Sequence, residues 1–392
     1  MKVKEADDRI NLINVFGVSM RLVQEADVKN KKVFLRVDFN VPLEDGRVAD
    51  NNRILAALPT IKHLVECRAK VIIGTHLGRP EGKRSPETSV MTAAKELQRI
   101  LNLKVLVAPD ITGLQTERMI NDLKPGGILM LENLRWDKRE EENDQEFAAE
   151  LAKLADLYVN DAFAVSHRAN ASVEAITKYL PSYAGLLFQS EVSHLELLLK
   201  DPRHPFTIII GGIKIKDKAG MIEKLAPGAE EVLVGGGVAN TFLKAKGEDI
   251  GQSLYDHGML AECKRMLDLL GHKIVLPTDF VKEELPDGSF KIMDIGPETA
   301  KIFASIIQRS ETILWNGSLG YNEDKRYRES MRTVTRAMGA HKDATTVIAG
   351  GDTVGFVKQE KLDKGINFIS TGGGAALEFL AGNKLPGLVA LE

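Results

Sequence analysis

Arginine, histidine and aspartate recur in the first half of the chain directly after short apolar runs. Arg36, Asp38 and Asn40 stand in RVDFNVP, His76 and Arg79 in THLGRP, Arg135 in LENLRW, and Asp161, His167 and Arg168 in VNDAFAVSHRA. Guanidinium forks and imidazole donors in such number suit a small, highly charged anion held by paired hydrogen bonds. Any one of these arginines could be a solvated surface charge, but their recurrence after successive runs weakens that reading jointly. His76 and His167 lack a Cys or carboxylate at metal-ligand spacing, so each reads as an anion ligand or a structural donor.

In the second half the corresponding places hold glycine: Gly211-Gly212 in GGIKIKDK, Gly235-Gly236-Gly237 in GGGVANTF, Gly317 in WNGSLG, Gly350-Gly351 in AGGDT and Gly372-Gly373-Gly374 in STGGG. Backbone N–H groups at a helix start bind phosphate, and bare backbone also admits a flat base. A tight strand-to-helix turn with no ligand is the alternative for any one run. Gly78…Gly82-Lys83-Arg84 misses the P-loop pattern by one residue of spacing and puts Arg84 where Ser or Thr should ligate magnesium. GGIKIKDK and AGGDT are better phosphate sites. Lys214 and Lys218 would share one face if their segment were helical. Asp352 suits a magnesium ion bridging phosphates, or else a helix N-cap.

These residues must be positioned by the elements that precede them. Apolar runs predict strands at 33–38, 71–75, 105–108, 128–131 and 157–160, then at 206–210, 231–234, 273–276, 312–315, 346–348 and 367–370. Patterns of 3.6-residue period lie between them, as from Val90 and from Glu146. Continuous apolar strands alternating with helices predict an α/β fold with parallel sheets covered on both faces. The 392 residues suit two such domains. Asp45-Gly46 and Asp287-Gly288 read as hairpin turns. The segment SEVSHLELLLKDPRHPF reads as a connecting helix that ends near Asp201-Pro202.

Composition narrows the function classes. A net charge of −3 argues against a general nucleic-acid binder. The two cysteines, Cys67 and Cys263, give neither a disulfide framework nor a metal spacing and suit a reducing cytoplasm. The first twenty residues are too charged for a signal peptide, and no apolar run approaches the roughly 18–20 residues that span a bilayer.

RVDFNVPL, THLGRP, LENLRW, NDAF…HRA, GGIKIKDK, GGGVANTFL, DIGP, WNGSLG, GGDT and STGGGAALE occur in that order, from about Lys32 to the final LPGL. In this the chain closely resembles the phosphoglycerate kinase family. The resemblance implies a phosphotransferase with a carboxyl group as acceptor, which moves a phosphoryl group between 1,3-bisphosphoglycerate and ADP to give 3-phosphoglycerate and MgATP. It implies two Rossmann-like domains joined by a hinge helix. A phosphoglycerate-binding domain over 1–187 would take back a tail at 384–392. A connector over 188–204 would lead to a nucleotide-binding domain over 205–383.

By the same resemblance Asp38 and Asn40 hold the glycerate hydroxyl and carboxylate, with Arg36 in support. His76, Arg79, Arg135 and Arg168 clamp the phosphate that stays, and Phe39, Leu77, Gly78 and His167 complete that site. Arg53 meets the phosphoryl group in transfer, as do Lys218, Lys214, Gly372 and Gly373. Gly211, Gly212, Gly235, Gly236, Gly237, Gly296, Asn316, Gly350, Gly351 and Thr353 surround the nucleotide. Glu323 takes the ribose and Asp352 the magnesium. The implied enzyme is a cytoplasmic, glycolytic monomer with small-molecule partners, and neither nucleic acid nor membrane.

The chain departs from the family's pattern on the nucleotide side. Ile213, Ile215 and Lys216 intrude in GGIKIKDK, Ser318 replaces a proline, Tyr321 and Asn322 replace apolar residues, Asn240 replaces an aromatic, and Ala349 replaces a glycine. A looser grip on adenine, with tolerance of GDP, is the expectation. The rival readings are a related acyl-phosphate kinase with another nucleotide, and a non-catalytic binding protein. The second predicts loss of charged residues, yet Arg53, Lys214, Lys218 and Asp352 are all present.

Overall fold

Strands that are apolar on both faces are stable only in a sheet covered on both sides. The strands Lys32–Arg36, Lys70–Gly74, Ile128–Met130 and Leu157–Asn160 are of that kind, with Val33, Phe34, Leu35, Val71, Ile72, Ile73, Leu129 and Val159 fully buried. The helix Asn52–Glu66 turns Ile54, Ala57, Ile61 and Leu64 to the same core, at the three- and four-residue spacing of one helical face. Each such side chain contributes about 1.5–3 kcal/mol through burial.

The computed structural model describes residues 14–15 and 18–392. The rest of the charged N-terminal stretch, on which the signal-peptide reading rests, lies outside the described residues. The chain divides into two compact units, one of Met1–Ser193 with Lys384–Glu392, the other of His194–Asn383. The division falls within the helix Leu186–Lys200, which stops just before Asp201-Pro202.

The first unit holds a six-stranded parallel sheet in the spatial order Ser182–Ala184, Leu157–Asn160, Lys32–Arg36, Lys70–Gly74, Ile128–Met130, Val105–Val107. The second holds another, in the order Ile274–Val275, Glu231–Val234, Phe206–Ile210, Thr312–Asn316, Thr345–Ala349, Phe368–Ile369. Numbered along the chain, the second order is 3-2-1-4-5-6, that of dinucleotide-binding sheets. The first sheet is wound differently, because its fifth strand lies beside its first. In both sheets the order reverses beside the unit's first strand, and ligands of open parallel sheets bind in the crevice that such a reversal leaves at the carboxyl ends.

Eleven of these twelve strands correspond to expected runs, with ends that differ by at most two residues. The twelfth, Ser182–Ala184, is three residues long, and its central Tyr183 is only half-buried. Asp45 and Gly46 take φ of 48° and 70° between the paired strands Leu43–Glu44 and Arg47–Val48, the two-residue hairpin that Asp-Gly favours. Gly288, at φ 80°, turns a longer antiparallel ribbon, Phe280–Glu284 against Phe290–Ile295.

The returning segment Lys384–Glu392 is tightly held in the first unit. Gly387 N–H donates to the Ser166 carbonyl at 2.9 Å, and a Cβ on Gly387 would lie 2.7 Å from Ser166 Oγ. Leu388 and Leu391 are buried. Among the described residues, no helix is long and apolar enough to cross a membrane.

Candidate functional site

The strand Lys32–Arg36 ends with an arginine that is only 1% exposed. A buried guanidinium must be paired and hydrogen-bonded. Arg36 Nε donates to Ser172 Oγ at 2.8 Å, Nη1 donates to the Val37 carbonyl, and Nη2 lies 3.8 Å from Glu140. Ser172 Oγ in turn donates to Glu140 Oε1 at 2.6 Å. Arg36 is thus built into the floor, as a support for the loop above it.

That loop carries Asp38 and Asn40. Asp38 accepts from Arg53 Nη1, from the first turn of the helix Asn52–Glu66, and from the Asn40 N–H at 3.1 Å. Asn40 Oδ1 accepts from Gly78 N–H at 2.9 Å, and Arg135 Nη1 donates to the Gly78 carbonyl at 3.1 Å. Gly78, at φ 66°, is therefore clamped on both sides of its peptide. Asn133 holds the same turn from below. It is fully buried, accepts from Leu77 and Arg135 N–H and donates to the Leu77 and Thr88 carbonyls. Phe39 and Leu77 are buried, and Phe39 N–H donates to Thr75 Oγ1 at 2.9 Å.

His76 sits at the centre, 3% exposed, with its Nδ1 unpartnered among the described residues and 3.7 Å from Asp38 Oδ1. Its pKa is held well below the usual value by burial first and then by the charges of Arg36, Arg135, Arg53 and Arg168. Four guanidinium charges thus act on one neutral imidazole. Arg168 is exposed and donates from Nε to His167 Nε2 at 3.2 Å, and Arg79 is exposed, with no side-chain hydrogen bond or ion pair among the described residues.

The sign of the histidine's effect on stability follows. Below about pH 6.5 the unfolded chain protonates this histidine while the folded chain resists, so its contribution is present above that pH and declines as pH falls. The melting temperature of the wild type is expected to drop further between pH 7.5 and 5.5 than that of His76→Gln. Equal drops in thermal melts would show that the imidazole is not so held.

In the second unit three loops after strand ends pack on one another. Gly212 N–H donates to the Ser318 carbonyl at 2.6 Å, Gly236 N–H to the Leu319 carbonyl at 2.8 Å, and Val238 N–H to the Gly212 carbonyl at 3.0 Å. A Cβ on Gly211 would lie 2.1 Å from the Ser318 oxygen, one on Gly235 2.6 Å from Leu319, and one on Gly237 2.7 Å from the Ile213 oxygen. These glycines are required by the packing of loop on loop. Gly296 is required by Asp279, whose carboxylate accepts from the first-turn N–H groups of the helix Pro297–Gln308.

Gly351 and Gly373 differ: a Cβ on either would meet nothing within 4 Å. Gly373, at φ 52° and ψ −122°, is required by its backbone conformation, as N-cap of the helix Gly374–Leu380. Gly372 N–H donates to Ser370 Oγ at 3.0 Å.

Lys214 and Lys218 do not share a helix face. Lys214 is exposed in the loop, and Lys218 is the residue before the helix Ala219–Leu225. Lys218 Nζ lies over Gly212, 3.1 Å from where a Cβ would be. Burial lowers the pKa of Lys218, and the charges of Asp217 and Asp352 oppose that shift. Gly350 takes the N-cap position of the helix Gly351–Gln359, so the capping role considered for Asp352 is not the one it has. Asp352 is exposed in the first turn, and the neighbouring Thr353 is buried and accepts from Gly317 N–H at 2.8 Å. Asn316 is buried with its Nδ2 unpartnered among the described residues.

Beside these loops lies a cavity of about 450 Å³. Gly212, Gly236, Gly237, Glu323 and Asp352 line it, whereas Gly211, Lys214, Lys218, Gly235, Gly296, Asn316, Gly350, Gly351 and Thr353 stand outside its wall. Much of the wall is the antiparallel ribbon, through Phe280, Glu283, Lys291 and Asp294, which sequence reasoning left unassigned beyond its turn. Asn133 and the Glu140–Ser172 pair were likewise missed. Polar residues inside otherwise apolar runs are the signal that could have found them.

The family model described as phosphoglycerate kinase matches residues 23–383. A phosphoglycerate kinase of Moorella thermoacetica is 44% identical over 387 residues, covering 94% of this chain and 98% of its own. One of Coprothermobacter proteolyticus is 42% identical over 390 residues, covering 95% and 99%. Among solved structures, phosphoglycerate kinase from Coxiella burnetii matches with a TM-score of 0.83 at 33% identity, and that from Pyrococcus horikoshii with 0.85 at 32%; each match covers 95% of this chain and 98% of the other. With matches of that extent and identity, the chain belongs to the phosphoglycerate kinase family.

Proposed function

We propose that the chain catalyses reversible phosphoryl transfer from 1,3-bisphosphoglycerate to ADP, giving 3-phosphoglycerate and MgATP. The observation that carries this is the grouping of Arg53, Arg135 and Arg168 around a neutral His76, above the buried Arg36–Glu140 pair, a charge pattern for a small polyanion. Asp38 and Asn40 take the glycerate hydroxyl and carboxylate. His76, Arg79, Arg135 and Arg168 take the phosphate that stays, with Phe39, Leu77, Gly78 and His167 beside it.

The nucleotide goes to the second unit. Glu283, Glu323 and a buried Asp294, whose pKa burial pushes up to about 7, line the cavity with a single lysine, Lys291, which suits base and ribose better than polyphosphate. The phosphates therefore lie toward Lys214, Lys218 and the glycine loops. Among the described residues no cluster of three His, Cys, Asp or Glu side chains forms a cage for a metal. Magnesium is instead held by Asp352 together with the nucleotide phosphates, and it supplies neutralisation of phosphate charge.

An acyl phosphate is a good donor, so no covalent enzyme intermediate is needed. Arg53 and Lys218 hold the charge of the equatorial oxygens, and the N–H groups around Gly372 and Gly373 add to it. The enzyme acts as a cytoplasmic monomer in glycolysis.

A coupled assay with 3-phosphoglycerate, Mg²⁺ and ATP or GTP tests the proposal. Turnover with ATP is expected. Turnover with GTP alone would keep the reaction and change the nucleotide. Folded protein inactive with both would be a binding protein.

A further inference from the structure

The side-chain amide of Asn133 makes four hydrogen bonds, all to main-chain groups. Its Oδ1 accepts from Leu77 N–H at 3.3 Å and from Arg135 N–H at 3.1 Å. Its Nδ2 donates to the Leu77 carbonyl at 2.7 Å and to the Thr88 carbonyl at 2.8 Å. These partners fix which end is oxygen, because a carbonyl can only accept and an N–H only donate. The amide takes both main-chain groups of Leu77, as a paired residue of an antiparallel strand would. It thereby joins Arg135 to a turn 56 residues away. Arg135 Nη1 then returns to the Gly78 carbonyl at 3.1 Å, which closes a ring through the amide, Arg135, Gly78 and Leu77. On the other side of the guanidinium, Nε lies 3.2 Å from Glu141, an exposed carboxylate that is free to turn away. The buried amide is not.

We infer that Asn133 is the positioning residue of the phosphate clamp, setting the span between the Arg135 fork and the Gly78 peptide. This rests on the reading of the first unit as the phosphoglycerate site. Asn133 is fully buried, so it acts through Leu77, Gly78 and Arg135 and not on the ligand. A forked hydrogen bond depends on orientation as well as charge, so an error in that span costs affinity. Leucine, of similar size, would leave four main-chain groups without this partner. Aspartate would face two carbonyls and add a negative charge under an anion, which confuses two effects.

Calorimetric titration with 3-phosphoglycerate and, separately, with ADP tests this. In Asn133→Ser, where water can restore part of the network, 3-phosphoglycerate should bind about tenfold more weakly and ADP within about twofold of wild type. Asn133→Leu should lose more for 3-phosphoglycerate and again nothing for ADP. Added to Arg135→Lys, which has no fork to orient, Asn133→Ser should cost less than about threefold more. Thr88→Ala removes the hydroxyl that accepts from Trp136 Nε1 at 2.9 Å but leaves the Thr88 carbonyl to Asn133, and it should bind both ligands as the wild type does. Folded Asn133→Ser with wild-type affinity for 3-phosphoglycerate overturns the inference. So do additive losses in the double variant, and so does Thr88→Ala as weak as Asn133→Ser, which would make the effect one of general packing. If neither Asn133 variant folds, the ¹⁵N-labelled wild type decides: the Asn133 Nδ2 signals should shift with 3-phosphoglycerate and not with ADP, and signals that stay in place at saturation overturn the inference. Wild type that binds ADP but not 3-phosphoglycerate would instead refute the underlying reading of the site.

Discussion

Replacing Arg53 by alanine is expected to lower kcat by on the order of 10³-fold or more, the effect of losing an arginine that meets a phosphoryl group in transfer. Stability should move much less, by a loss of about 1–3 kcal/mol, because the Arg53 side chain is 35% exposed but its partner Asp38 is only 8% exposed and is left without its counter-charge. The position of Arg53 is itself a poor one for stability, because a cation in the first turn opposes the helix dipole. Asp38 keeps the Asn40 N–H when the guanidinium is gone. Steady-state kinetics together with a thermal melt separate the two effects. A kcat within tenfold of wild type would remove Arg53 from the reaction, and Arg53→Lys, which keeps the charge but loses the fork, should fall between.

Gly211→Ala is expected to have the largest effect on stability, a loss of about 3 kcal/mol or more. The new methyl would lie 2.1 Å from the Ser318 oxygen and 2.7 Å from the Gly317 oxygen, both backbone atoms that no rotamer change can move. For a unit of this size the melting temperature should drop by about 6–12 °C. Gly351→Ala is the counterpart. Its Cβ meets nothing within 4 Å, it sits in a helix, and alanine there is stabilising by a few tenths of a kcal/mol to about 1 kcal/mol. A weaker KM for nucleotide in that variant would then report the approach of a ligand and nothing else. If instead Gly211→Ala melts with the wild type, the loops part easily, and the glycine there serves ligand approach as well.

The contrast between these glycines marks what the sequence made legible. Strand-like runs followed by charged or glycine residues locate the carboxyl ends of both sheets, because a buried parallel strand is recognisable as a short continuous apolar run. From sequence alone the glycine runs form one class, bare backbone for a nucleotide's phosphates and base or else tight turns without a ligand. They are two classes, since Gly211, Gly235 and Gly237 make room for neighbouring loops and Gly351 faces open space. No local pattern separates these, because the atoms that crowd Gly211 come from a segment about a hundred residues away. Arg36 was grouped with the anion-facing arginines on residue type, and its pairing with Glu140 and Ser172 depends on a tertiary approach of the same kind. The ribbon Phe280–Glu284 and Phe290–Ile295 was legible only at its turn, since its strands are half-exposed and mix apolar with charged residues.

The packing of Lys384–Glu392 into the first unit bears on how the chain is made. Translation delivers residues in order, and domains fold as they emerge. The second unit, His194–Asn383, is contiguous and can close as soon as it leaves the ribosome. The first unit begins earlier but waits for Gly387, Leu388 and Leu391 before its last surface is covered. The half of the protein synthesised first is therefore completed last, with an entire finished domain emerging between its beginning and its end.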